Sequence, residues 1–126
     1  MPSLRKNSAL AAAAACFVIA GVGAAGAAGA FAIGTCGAYG YGFDYRKVDD
    51  ARVAAMKKCV GTDCRIVGIM RRGCAAMAVD AKNLCGPYGW AIESHLGKAE
   101  NTSMRRCYQY GGHDCMVRAW ACDEKG

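Results

Sequence analysis

Apolar and polar positions change period twice between residues 48 and 71. Val48, Ala51, Ala55 and Cys59 fall on one face of a helix predicted over 48–59. Asp49 and Asp50 near its start, and Lys57 and Lys58 near its end, complement the helix dipole. Gly61 is the stop signal. The apolar face is mostly Ala, so this helix can approach a sheet closely. After a Cys59–Cys64 corner, Ile66, Val67 and Ile69 make 64–71 a β-strand. Upstream, Tyr39, Tyr41 and Phe43 alternate with Gly40 and Gly42, the period of a strand. A further strand covers 31–34, with a turn near Cys36-Gly37.

The same order of elements returns in the second part of the chain. Cys85-Gly-Pro-Tyr-Gly-Trp answers Cys36-Gly-Ala-Tyr-Gly-Tyr. Met104-Arg-Arg-Cys107 answers Met56-Lys-Lys-Cys59. Strands are predicted over 74–79, 88–93 and 115–122, although the Ala-rich run at 74–79 also suits a helix. The loop between the first two spans 80–87. A second helix over 99–107 repeats the small face as Ala99, Ser103 and Cys107. Asn101, Thr102 and Ser103 are poor helix formers, so this helix should be short and held by packing. Residues 123–126 read as a polar tail. The expected fold class is α+β: two ββαβ half-repeats, about 31–73 and 74–122. The simplest assembly is one antiparallel or mixed sheet with two short helices on one face.

The first thirty residues have a different character. Arg5 and Lys6 are basic, and no charged residue occurs between Asn7 and Phe43. An apolar run at 9–19 and the small residues at 25–30 complete the pattern of a secretory signal peptide over residues 1–30, cut after Ala30. Gly21-Val-Gly-Ala-Ala-Gly26 fits G-x-G-x-x-G, but it lies inside this export signal and lacks the strand–helix context of a dinucleotide site. Cleavage would leave a domain of 31–126 without a transmembrane segment, in the periplasm or outside the cell. It would take the net charge from +6 to +4 by removing Arg5 and Lys6. That mild basicity favours anionic partners and is no nucleic-acid signature.

Cleavage would also remove Cys16 of the nine cysteines and leave eight. An even count in a small exported domain reads as a disulfide framework. Ala and Gly dominate the composition and bulky side chains are few, so cross-links would supplement a light core. In the chain-entropy model a five-residue loop contributes about 2 kcal/mol and one of nearly fifty residues about 4 kcal/mol.

These motifs resemble the bacterial secreted domain-of-unknown-function family 4189. The residues that carry the resemblance are Ala51-Arg-Val-Ala-Ala55-Met-Lys-Lys-Cys59, Cys64-Arg-Ile66, Cys74-Ala-Ala76 and Trp120-Ala-Cys122. The resemblance spans nearly all of 31–126. It implies an exported, cysteine-linked α+β repeat and brings no catalytic residue. Cys36 and Cys85 stand outside the family's core pattern. Of the 105 possible connectivities for eight cysteines, the expected one has two local bonds, Cys59–Cys64 and Cys107–Cys115. Two more, Cys74–Cys122 and Cys36–Cys85, would join the halves.

The candidate chemistry is sparse. C-x-x-C is absent, so neither a tight metal pair nor a redox-active pair is expected, and no metal and no cofactor is expected. Met56, Met70, Met77, Met104 and Met116 are spaced as core residues rather than as copper(I) ligands. His95, two residues after Glu93, and His113, before Asp114, are the only histidines, each a conceivable general base. The basic doublets Lys57-Lys58, Arg71-Arg72 and Arg105-Arg106 are ordinary helix-end or turn charge, or part of a gripping surface. Arg105, Arg106, Tyr108, Tyr110 and Trp120 form the candidate binding patch for an anionic envelope or extracellular macromolecule. The leading expectation is therefore a non-catalytic binding module. Its rivals are a small secreted enzyme using His95 or His113 and a purely structural envelope protein.

Overall fold

The computed structural model describes residues 27–123. The export segment expected over 1–30, Cys16 and the G-x-G-x-x-G run lie almost wholly outside them. The elements are β1 (Ala28–Ile33), a 3-10 turn (Thr35–Gly37), β2 (Tyr39–Tyr45), α1 (Val48–Lys58), β3 (Arg65–Met70), β4 (Cys74–Asp80), β5 (Asn83–Glu93), α2 (Leu96–Gln109) and β6 (Cys115–Cys122).

The strands form two three-stranded antiparallel sheets, ordered β2-β1-β3 and β5-β4-β6. Each half is thus ββαβ with its first strand in the centre. The sheets face one another across the main core. Phe31, Ile33 and Met70 from one sheet meet Met77, Val79 and Ala121 from the other. The helices cover the outer faces, α1 over Ala30 and Ala32 of β1 and α2 over Ala76 and Ala78 of β4. The result is a four-layer α-β-β-α sandwich.

The single sheet expected from the sequence is therefore two sheets, with helices on opposite outer faces. The reason lies in β1 and β4, which are buried along their whole lengths. Their odd residues (Phe31, Ile33; Met77, Val79) are bulky, and their even residues (Ala30, Ala32; Ala76, Ala78) are small. Both faces need cover. A single sheet with helices on one side would leave the bulky rows in water, a loss of roughly 1.5–3 kcal/mol per large side chain.

The small row lets each helix lie close. At Gly40 an added Cβ would strike the carbonyl oxygen of Ala55 in α1, and at Gly89 that of Ser103 in α2. On the inner side Gly68 leaves room for Ile92 from the facing sheet.

Three boundaries differ from expectation. First, the central strand begins at Ala28, not at 31. Ala28 pairs with Tyr45, Gly29 with Met70, and Ala30 is fully buried, so the cut expected after Ala30 would remove half of β1. Second, α2 is longer than 99–107 because Leu96 packs onto Cys74, Ala76 and Ala99. Third, β5 continues back to Asn83 through residues expected to be loop. It is an edge strand, where Pro87 forfeits no ladder bond.

Four disulfides join Cys36–Cys85, Cys59–Cys64, Cys74–Cys122 and Cys107–Cys115. The second and fourth tie each helix end to the strand after it. Cys74 and Cys122 face each other across β4 and β6, so this bond braces the second sheet rather than joining the halves. Only Cys36–Cys85 links one half to the other.

Met70 and Met77 are buried core residues. Met56 and Met116 are exposed instead, on the outer side of α1 and on edge strand β6. Asp123, expected in a polar tail, is fully buried. Its carboxylate accepts the N–H of Asp44 and of Arg72, both at 3.2 Å, and its own N–H donates to Gly73. Asp44 and Arg72 both hold left-handed backbone conformations, and one carboxylate pins both turns across the two halves.

Candidate binding grooves

The four edge strands leave a trough on each side of the sandwich. The first lies between β2 and β6. One wall is the aromatic row Tyr39, Tyr41 and Phe43. The other is Arg118 and Trp120, and Ala119, Ala121 and Cys122 complete the lining of a volume of about 520 Å³. The row exists because residues two apart on a strand share a face. Tyr39 and Tyr41 are nearly parallel with centroids 6.3 Å apart, and Phe43 is inclined by 29° to Tyr41 with centroids 6.0 Å apart. Phe43 is 45% exposed and Trp120 52% exposed. The small side chains of Ala119 and Ala121 keep the trough from filling.

Two cations attend the row. The Lys58 ammonium lies 5.4 Å from the Tyr41 ring centroid. The Arg118 guanidinium lies 5.8 Å from that of Tyr39, and its Nε donates to the Gly37 carbonyl at 3.0 Å. Arg118 sits where the pairing of β4 with β6 shifts register, between the Met77–Ala119 and Ala78–Val117 pairs. That bulge turns its side chain across the trough towards Tyr39. Among the described residues no acceptor is hydrogen-bonded to its terminal guanidinium nitrogens.

The second trough belongs to the other half. Tyr88 and Trp90 on β5 stand where Tyr39 and Tyr41 stand on β2. With Arg65, Pro87 and Tyr110 they line a smaller volume of about 350 Å³. Arg106 lies over Trp90, 6.0 Å from the ring centroid, and donates to its carbonyl. Lys58 over Tyr41 and Arg106 over Trp90 are thus equivalent pairs. Arg65 donates to the Tyr88 hydroxyl at 3.2 Å.

The patch expected at Arg105, Arg106, Tyr108, Tyr110 and Trp120 is divided by this arrangement. Arg106 and Tyr110 belong to the Trp90 side. Arg105 and Tyr108 are exposed on α2. Trp120 lines the opposite trough, because β6 and β5 are the two edges of one sheet. Phe43, Lys58 and Arg118, which stand outside the expected patch, complete the Trp120 site; in the sequence Lys58 is half of a basic doublet and Phe43 part of an alternating strand. The repeat itself signals Lys58, since Lys58 stands to Tyr41 as Arg106 stands to Trp90. No local signal marks the bulge at Arg118.

The chain belongs to the DUF4189 family. The family described as Domain of unknown function (DUF4189) matches residues 28–122, the span of the sandwich from the first residue of β1 to the last of β6. No curated protein and no solved structure matches the chain. Within this DUF4189 domain, no described helix is long and apolar enough to cross a membrane. No three His, Cys, Asp or Glu among the described residues are grouped to hold a metal ion.

The two histidines of the domain stand at opposite ends of α2. His95 precedes the helix and His113 follows it, and fourteen residues of helix separate them by roughly 20 Å. Both are exposed. Glu93 is engaged by Lys98 at 3.5 Å and by the Thr102 hydroxyl at 3.5 Å. The carboxylate partner of the His113 segment is Asp80, at the end of β4. Asp80 accepts the backbone N–H of His113 at 3.1 Å and that of Lys82 at 2.9 Å. The His113 and Lys82 N–H groups hold the Asp80 carboxyl below its ordinary value, with smaller help from the Asp114 N–H and the His113 charge; burial opposes them. Asp80 is thereby an anchor for the loop between α2 and β6.

Proposed function

We propose that this DUF4189 domain is an exported, non-catalytic binding module that holds an acidic glycan in the β2–β6 trough. The observation that carries this reading is the open aromatic row facing Arg118 and Trp120. Aromatic faces offer flat apolar platforms for sugar rings. A guanidinium with free N–H groups pairs with carboxylates by charge-assisted hydrogen bonds. The chain's positive net charge favours the same partner at longer range. From Tyr39 to Phe43 the ring centroids span at most about 12 Å, enough for a short stretch of linear polymer. Four disulfides support a working place outside the reducing cytoplasm. The rival readings are a small secreted enzyme using His95 or His113 and a purely structural envelope protein.

The test is binding of the oxidised protein to immobilised uronic-acid polysaccharide and to its neutral counterpart. The acidic polymer should be retained, and Arg118→Glu or Trp120→Ala should weaken retention about tenfold or more. Equal retention of both variants would remove the trough from consideration. Retention that changes only with His95→Ala or His113→Ala would favour the enzyme reading.

A further inference from the structure

The four disulfides differ in one respect that bears on chemistry. Cys74 and Cys107 are fully buried, and Cys59 and Cys115 nearly so. Three of the bonds therefore each contain at least one sulfur shielded by packing. The fourth, Cys36–Cys85, has both of its cysteines exposed. It is also the only bond between the halves. Both of its cysteines line a cavity of about 260 Å³ with Gly34, Asp63, Arg65 and Tyr88.

We infer that Cys36–Cys85 is the exchangeable disulfide of the protein, opened by an exported dithiol reductant that enters this cavity. Thiol–disulfide exchange needs a thiolate in line with a disulfide sulfur, so access decides which bond reacts. A cation near the departing sulfur lowers its thiol pKa and makes it a better leaving group. Arg65, in the wall of the same cavity, is the cation available for that role, against the opposite charge of Asp63 in the same wall. One of its nitrogens is occupied by the Tyr88 hydroxyl, which steadies the guanidinium in the cavity wall.

The step balances as follows. A thiolate of the reductant attacks one of the two sulfurs, and the Cys36–Cys85 bond breaks. The electron pair leaves on the other sulfur as a thiolate in the cavity that Arg65 lines, later protonated from water. The second thiol of the reductant, deprotonated, then displaces the mixed disulfide and frees the second cysteine. The reductant leaves oxidised to its disulfide, and the protein has gained two electrons and two protons.

Opening this bond does not dismantle the sandwich. The Phe31, Ile33 and Met70 side chains still meet Met77, Val79 and Ala121. The Asp123 carboxylate still holds Asp44 and Arg72, and Arg118 still holds Gly37. What loosens is the 3-10 turn at Thr35–Gly37 against β5. Cys36 itself is held there at φ 55, a left-handed conformation unfavourable to a side-chain-bearing residue.

The experiment is timed reduction of the full oxidised protein by dithiothreitol under native conditions, with alkylation and peptide mapping. Cys36 and Cys85 should be alkylated at least about tenfold faster than the other six cysteines of the domain. Simultaneous reduction of all four bonds, or earlier opening of another, would overturn the assignment. Arg65→Gln should slow opening of this bond about threefold and leave the others unchanged; an unchanged rate would refute the role of the cavity. The Cys36→Ser, Cys85→Ser double variant should keep the β-sheet circular dichroism spectrum. Its collapse would refute a bond dispensable to the fold.

Discussion

Two aspartates hold the turns that no apolar side chain covers. Asp80 ends strand β4 and Asp123 follows β6, and each carboxylate accepts two backbone N–H groups, those on Asp80 coming from Lys82 in its own turn and from His113. In Asp80→Asn one carboxylate oxygen becomes an N–H₂ group, which faces the donor of Lys82 or His113 and cannot accept from it. The variant should melt at lower temperature at neutral pH. The folded Asp80 carboxyl lies below its ordinary value of 3.8. Its stabilising contribution is therefore complete above the ordinary range and disappears as pH falls through the lowered folded value. The melting-temperature gap between wild type and Asp80→Asn should accordingly narrow as pH falls below that ordinary value, as followed by circular dichroism. A constant gap would show that the charge contributes nothing. Neither aspartate is conspicuous in the sequence. Asp80 opens what reads as a loop and Asp123 what reads as a tail, and apart from the Lys82 N–H two residues from Asp80 their partners are backbone groups brought near only by the fold.

At the scale of elements, periodicity and repetition are strong guides. Helix α1, the central strand β4 and β6 lie close to where alternation and the small-residue face place them, while β1 begins three residues early. The departures share one cause, which is packing from outside the element. Leu96 extends α2 because β4 offers it a buried seat, and Pro87 sits in a strand because β5 has a free edge. The approach of each helix to its sheet depends on the strand glycines. Gly40→Ala and Gly89→Ala would drive a methyl group into helix backbone, which cannot move aside as a side chain end can. Each should cost on the order of 1–3 kcal/mol or more in urea unfolding. Gly97→Ala, where an added Cβ meets nothing within 4 Å, is the control. It should be neutral or mildly stabilising, by less than about 1 kcal/mol, through helix propensity. A Gly40→Ala variant as stable as the control would mean the helix does not lie on the strand.

The whole molecule limits where an export cleavage could fall. Ala28 and Ala30 are integral to the central strand of the first sheet, so an export cleavage after Ala30 would unpair β1 from Tyr45 and Met70. Ala25-Gly26-Ala27 supplies an A-G-A sequence ending just before the strand. N-terminal sequencing of exported protein should therefore find Ala28 first. A start at Phe31 would mean that the mature domain dispenses with half of β1.

The sequence by itself determined the α+β class, the two ββαβ units, the family and the small-residue faces of both helices. Each of these is written in local spacing, which needs no knowledge of distant neighbours. Only the tertiary structure decided that six strands make two sheets, that Trp120 and Arg106 lie on opposite edges, and that Arg118 crosses to Tyr39. The physical reason is that a strand's alternation shows which residues share a face, while the surface that covers the face comes from segments tens of residues away. A strand apolar on both sides says only that it has two neighbours.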